Sequence, residues 1–233
     1  MDSKIRIGIV GYGNLGRGVE LAVAQNADMQ LAAVFTRRDP GGVRLQTAGV
    51  PVHGMDDIAH HCAAIDVLIL CGGSKDDLPV QGPQLARLCT TVDSFDTHAK
   101  IPEHFDAVDA AAKAGGHVAL ISIGWDPGLF SLQRLMGEAL LPQGATYSFW
   151  GKGLSQGHSD AVRRVPGVQG GVQYTIPSEE AIERVRSGER PQLNTRDKHV
   201  RECFVVLAPD ADADAVRQTI VTMPDYFADY DTT

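Results

Sequence analysis

Short apolar runs that stop at glycine or a small polar residue alternate with amphipathic stretches through the first half of the chain. Residues 5–10 (IRIGIV) form the first run, and Leu15, Val19, Ala22 and Val23 then recur at helical spacing. Strands follow at 31–35, 66–70, 90–92 and 118–121. Helices fall between them at 56–62, from Pro83 to Cys89, and at 103–114, the last opened by Pro102 and stopped by Gly115-Gly116. This alternation predicts an α/β fold, a Rossmann-type doubly wound parallel sheet. The pattern changes after Asp126: a helix at 128–140, strands at 146–150, 168–176 and 199–207, and helices from Gly157, after Ser178 as N-cap, and at 212–222. A last strand opens within 226–233. A second, α+β domain is therefore predicted, and the chain divides into 1–126 and 127–233.

The junction after the first strand carries the first chemical signal. Gly11, Gly13 and Gly16 stand at GxGxxG spacing between a buried strand and a helix. There the glycines permit a tight turn, a close backbone approach to a pyrophosphate and close helix–strand packing. The anion then sits at a helix N-terminus, where N–H groups and the helix dipole favour negative charge. Tyr12, Asn14 and Leu15 share that turn. The strand at 31–35 runs into Thr36-Arg37-Arg38 rather than an acid, and paired guanidinium groups suit a 2′-phosphate, so NADP is the predicted cofactor. Further strand ends carry Cys71-Gly72-Gly73-Ser74, Ser94-Phe95-Asp96 and Ile123-Gly124-Trp125-Asp126-Pro127. Ligands of such sheets bind beyond the carboxyl ends of the strands, so these loops are predicted to form one cofactor crevice.

Composition narrows the class. A net charge of −8 argues against a nucleic-acid binder. No apolar run approaches the roughly 20 residues of a membrane span, and the chain enters its first strand with no leader pattern, so a cytoplasmic protein is expected. Cys62, Cys71, Cys89 and Cys203 show neither CxxC nor zinc spacing and read as free thiols. His53, His60, His61, His104 and His117 fall in predicted loops or on exposed helix edges, and no metal site is expected.

The segments GYGNLGRG, FTRRD, CGGSKDDLP, TVDSFDTH, SIGWDPGLFS, FWGKGLSQGHSDAVRRVPGVQ, VQYTIPSE, RECFVV and MPDYFADY together resemble the meso-diaminopimelate dehydrogenase family over essentially the whole chain. The long central block is the most specific of them. The resemblance implies NADP-dependent, reversible oxidative deamination of the D-centre of meso-2,6-diaminopimelate to L-2-amino-6-oxopimelate and ammonia, in lysine biosynthesis. It also implies a homodimer, a second domain serving substrate binding and dimerisation, and a family C-terminal segment beyond Thr233. By resemblance, Asp96 and Asp126 contact the reacting amino group, and a carboxylate there can orient it and accept a proton. Asp126 could instead cap the following helix. Resemblance also makes Arg201 the carboxylate clamp, gives Thr175, Gln156 and the Gly157 amide to the distal end of the substrate, and sets Trp150 against its methylene chain. Of Arg163 and Arg164, at least one is expected to be structural, because neighbours on a helix face different ways. Phe95, Ile123 and Lys152 stand where the family commonly has tyrosine, threonine and proline. Two other readings remain: a dihydrodipicolinate-type reductase of the same architecture, and an NADP-binding fragment without turnover.

Overall fold

The computed structural model describes residues 4–233, and the side chain of Gln156 lies outside the described residues. The chain divides into two units, Met1–Ala139 and Leu140–Thr233. The first contains β1 (Ile5–Val10), α1 (Asn14–Gln25), β2 (Met29–Thr36), β3 (Val52–Gly54), α2 (Ile58–His61), β4 (Val67–Leu70), α3 (Leu78–Ala86), β5 (Thr91–Asp93), α4 (Ile101–Gly115), β6 (Ala119–Leu120) and α5 (Leu129–Leu140). By these bounds nearly all of α5 goes with the first unit, although the sequence pattern set its segment after the domain change at 126.

All six strands pair in parallel in the order β3-β2-β1-β4-β5-β6. That order reverses beside β1, which opens a crevice at the carboxyl ends of the strands. Strands buried on both faces need continuous apolar sequence, and Ile9, Val34, Phe35 and Leu68 are fully buried. The predicted doubly wound sheet is what the chain forms. Strand β3 went unpredicted because three residues show no period. Helix α3 begins at Leu78 rather than at Pro83, with Pro79 near its start and Pro83 inside it at the loss of one backbone bond. Helix α4 ends as predicted, its C-cap Gly116 at φ 71°.

Two expectations about side chains are corrected here. Cys62 and Cys89 are not free thiols: they form a disulfide, with Cα atoms 5.9 Å apart. Spacing could not reveal it, because packing beneath the sheet brings together residues 27 apart in sequence. Cys71 and Cys203 are free. His104 does not lie on an exposed edge: it faces inward from the first turns of α4 and is 5% exposed.

The second unit contains β7 (Gly153–Leu154), α6 (Gln156–Arg163), β8 (Val168–Pro177), α7 (Glu179–Arg186), α8 (Thr195–Lys198), β9 (His199–Leu207), α9 (Ala213–Val221) and β10 (Asp231–Thr232). Its sheet runs β10-β9-β8-β7, with β7, β8 and β9 antiparallel and β10 parallel to β9. Ser155, Ser178 and Asp212 cap α6, α7 and α9 by accepting backbone N–H groups. Val162, Val165, Val216, Ile220 and Phe227 form the core, so α6, α9 and the MPDYF turn close over one face of the sheet. The predicted strand at 146–150 is absent, and the Trp150 N–H goes to His199 Nε2 at 2.8 Å instead of to a ladder. An apolar, aromatic segment reads as a strand until its hydrogen-bond partners are known.

Candidate active site

The glycine turn is built as its spacing predicts. Gly11 has φ +91°, a left-handed conformation that a side chain disfavours. A Cβ on Gly16 would lie 2.3 Å from the Gly11 carbonyl oxygen, so only glycine lets α1 approach β1 this closely. Gly13 is the N-cap of α1, and no side chain takes the first-turn N–H groups among the described residues. Tyr12 turns inward, and its hydroxyl donates to Glu20. Burial, then that hydrogen bond, pushes the Tyr12 hydroxyl up to about 12. Burial alone would raise the Glu20 carboxyl, but hydrogen bonds from Tyr12 and Thr47 outweigh it and leave Glu20 low. Asn14 and Leu15 stay exposed at the start of α1.

At the end of β2, Thr36 is buried and its Oγ1 accepts the Arg38 N–H at 3.1 Å. The Arg38 guanidinium donates to the Tyr12 carbonyl, which ties it to the glycine turn. Arg37 forks onto Asp77 at 2.8 and 3.1 Å, and Asp77 also accepts the Gly73 N–H at 2.8 Å. Both arginines therefore stand at one corner of the crevice. No acid replaces them.

Three further loops meet at the same sheet edge. Ser74 Oγ accepts the Asp96 N–H at 2.6 Å, which links the loops after β4 and β5. Burial pushes the Cys71 thiol up to about 12, which keeps it protonated. Phe95 is buried, whereas Asp96, Ile123 and Trp125 are exposed. Gly124 bridges to Gly128 across Asp126-Pro127, a cis peptide bond, and Trp125 stacks on Phe130. Asp126 does not cap the next helix. Its carboxylate takes the Arg134 guanidinium at 2.7 and 3.1 Å and Ser131 Oγ at 2.8 Å. Arg134 first, then Ser131 and the nearby His98, hold the Asp126 carboxyl below its ordinary range against the opposing cost of burial. Asp126 is thus a fixed anion, and among the described residues no ion pair engages Asp96. Sequence reasoning missed Arg134, because only the folded turn and α5 decide which helix side chain returns to Asp126.

In the second unit the cross-strand pair Thr175–Arg201 joins β8 to β9. Arg201 is 5% exposed, donates to Thr175 Oγ1 and lies with its guanidinium carbon 3.9 Å from the Tyr230 ring centre. Among the described residues no carboxylate pairs with it, and its Nε and the buried Gln173 Oε1 have no partner. Burial lowers the Arg201 pKa from its ordinary value, and the neighbouring Tyr230 only partly offsets this. An unpaired buried cation is costly, so this cluster is made for an anion. Nearby, His158 shares a 2.6 Å hydrogen bond with Ser155 Oγ, and burial drags its pKa to about 4. Trp150 and Gly157 are exposed, and Gln156 lies outside the described side chains. Arg163 is structural: it donates to the Gly171 carbonyl at 2.7 Å and pairs with Asp160. Gln173 escaped notice because nothing marks a glutamine in a strand as buried.

A parallel sheet of this order, with a glycine turn feeding a helix N-terminus, defines the class of Rossmann-type dinucleotide-binding folds. The family described as the diaminopimelic acid dehydrogenase C-terminal domain matches residues 124–233. The meso-diaminopimelate D-dehydrogenase of Ureibacillus thermosphaericus is 64% identical over 231 residues, 99% of this chain and 71% of that protein. A solved diaminopimelate dehydrogenase of Corynebacterium glutamicum, in complex with DAP, is 48% identical with a TM-score of 0.91, covering 100% of this chain and 71% of the other. An engineered D-amino acid dehydrogenase bound to NADP+ is 46% identical with a TM-score of 0.86, covering 99% and 70%. The chain belongs to the meso-diaminopimelate D-dehydrogenase family of amino-acid dehydrogenases.

Proposed function

We propose that the chain catalyses the NADP-dependent, reversible oxidative deamination of the D-centre of meso-2,6-diaminopimelate, giving L-2-amino-6-oxopimelate and ammonia. The observation that carries this reading is Arg201, buried beside Thr175 and Gln173 with no carboxylate partner among the described residues. A substrate carboxylate supplies the missing charge in a forked, charge-assisted geometry. Relatives named for this reaction, and a neighbour solved with DAP, support the choice of substrate.

In this reading residues 1–126 hold the cofactor and 127–233 hold the substrate and the contacts of a homodimer working in lysine biosynthesis. The uncapped N-terminus of α1 and the arginine pair at the end of β2 fit a phosphorylated dinucleotide, and one neighbour is bound to NADP+. Bound there, the nicotinamide ring supplies a hydride acceptor. Asp126, fixed by Arg134, serves as the constant anion that orients the substrate ammonium. Asp96, exposed and without an ion pair among the described residues, is the proton acceptor. Thr175 orients the clamp, and Trp150, Gln156 and Gly157 face the rest of the substrate.

The test is direct. With the purified chain, meso-diaminopimelate is expected to drive NADP reduction at alkaline pH while the L,L isomer does not. Equal rates with both isomers, or NADPH binding without turnover of any diamino acid, would overturn the assignment.

A further inference from the structure

We propose that Asp93, held by His104, is a positioning residue that fastens together the two loops carrying Asp96 and Asp126; the mechanistic part of this proposal rests on the function given above. The ladder between β5 and β6 is short, with Thr91 opposite Ala119 and Val92 opposite Leu120 and nothing beyond. The β6 loop therefore leaves the sheet with few backbone ties. Its first residues are also strained: Ser122, which is not glycine, has φ +58°. Asp93, the last residue of β5, replaces the missing ladder. Its Oδ1 accepts the Phe95 N–H and the Ser122 N–H, each at 3.0 Å, and its carbonyl accepts the Ile123 N–H at 2.8 Å.

The other carboxylate oxygen is spoken for. Oδ2 lies 2.8 Å from His104 Nε2, and the two side chains are 2–3% exposed. The His104 ring also stacks on Phe95, with centroids 4.1 Å apart and planes 15° apart. Room for the imidazole depends on α3, where a Cβ on Gly82 would come within 2.9 Å of His104 Cε1. A carboxylate with this little exposure is tolerated only when hydrogen-bonded. Here its donors come from both loops and from α4. One buried group thus sets where the loops at 94–96 and 122–126 stand. It touches neither substrate nor cofactor in the functional reading, so it acts through the residues it holds.

The experiment compares Asp93→Ala, Asp93→Asn, His104→Phe and His104→Gln in the whole chain. Amide hydrogen exchange at Phe95 and Ser122 reads the fastening without any substrate. An unsubstituted protein that proves inactive therefore sinks the functional reading and leaves the exchange result standing. In Asp93→Ala, exchange at both amides is expected to quicken by about tenfold or more. There kcat should fall about 100-fold, as misplacement by about 1 Å can do. NADPH affinity, set mainly at the glycine turn, should change by less than about fivefold, and Asp93→Asn, which keeps an acceptor for both amides, should restore most of kcat. Unchanged exchange in folded Asp93→Ala, or a fall in kcat that merely tracks lost folded protein, would overturn the proposal. Should Asp93→Ala fail to fold, the His104 pair decides. Glutamine keeps a donor for Oδ2 and phenylalanine keeps the ring, so quicker exchange in the phenylalanine variant alone supports the proposal and equal exchange in both refutes it.

Discussion

In the first unit the candidate chemistry stands on loops beyond the ends of parallel strands, at 71–74, 94–96 and 122–127. In the second it stands inside paired antiparallel strands, at Gln173, Thr175 and Arg201. The two kinds of site are held differently. A loop residue is placed by discrete ties, such as Ser74 to the Asp96 amide and Arg134 to Asp126. A strand residue is placed by register, and Thr175 meets Arg201 because the whole β8–β9 ladder aligns them. The first arrangement is tunable one side chain at a time, while the second concentrates its effect in a single buried cation.

The largest effect is therefore expected at Arg201. Arg201→Met should lower kcat/KM for meso-2,6-diaminopimelate by about 100- to 1000-fold, equivalent to about 3–4 kcal/mol, because it leaves a buried carboxylate unpaired. Steady-state kinetics beside an NADPH titration checks this, and an equal loss in NADPH affinity would break the contrast between the units. Next comes the Cys62–Cys89 disulfide, which closes a long loop in the first unit only. Chain entropy puts its contribution at about 3.5 kcal/mol. Serine at both positions should lower the denaturant midpoint of the first unit, and an unchanged unfolding curve would count against the bond.

The arginine pair is expected to matter less and to discriminate more. Alanine at both Arg37 and Arg38 should weaken NADPH by about 30-fold, on the order of 2 kcal/mol, and NADH by no more than about threefold. Arg37 must leave Asp77 to reach a 2′-phosphate, which trims its share. Fluorescence titration of both cofactors measures the ratio, and equal losses would remove the NADP assignment. The smallest effect is acid stability in the second unit. Burial lowers His158 from 6.5 to about 4, so the unfolded ring takes its proton first, and stability falls as pH drops from about 6.5 to about 4. Solvent still reaches the ring, so the discounted effect is on the order of 1–2 kcal/mol. Unfolding free energies at pH 4.5 and 7 should differ less in His158→Gln than in the parent.

Legibility in the sequence followed the range of the interaction. Gly11 and Gly16 were readable because turn and packing act within six residues, and Ser178 because a cap acts within three. Arg37 and Arg38 were readable from their place at a strand end. The disulfide, the buried His104 and the Arg134 partner of Asp126 were not anticipated. Each depends on an element that arrives from elsewhere in the chain or on a helix face that only packing selects. Leu15 shows the same limit: it has helical spacing with Val23, yet Val23 is buried and Leu15 is not.

Local chemistry written in the chain determined the strand–helix alternation, the glycine turn and the cationic end of β2, because backbone preference and periodic apolar burial are set by near neighbours. Only the tertiary structure decided that one oxygen of Asp93 holds both loops while the other holds His104, that Asp126 is an anion already paired with Arg134, and that Arg201 is buried without a counter-ion among the described residues. Those outcomes rest on desolvation and on partners drawn from distant elements. Neither is set until the sheets are assembled.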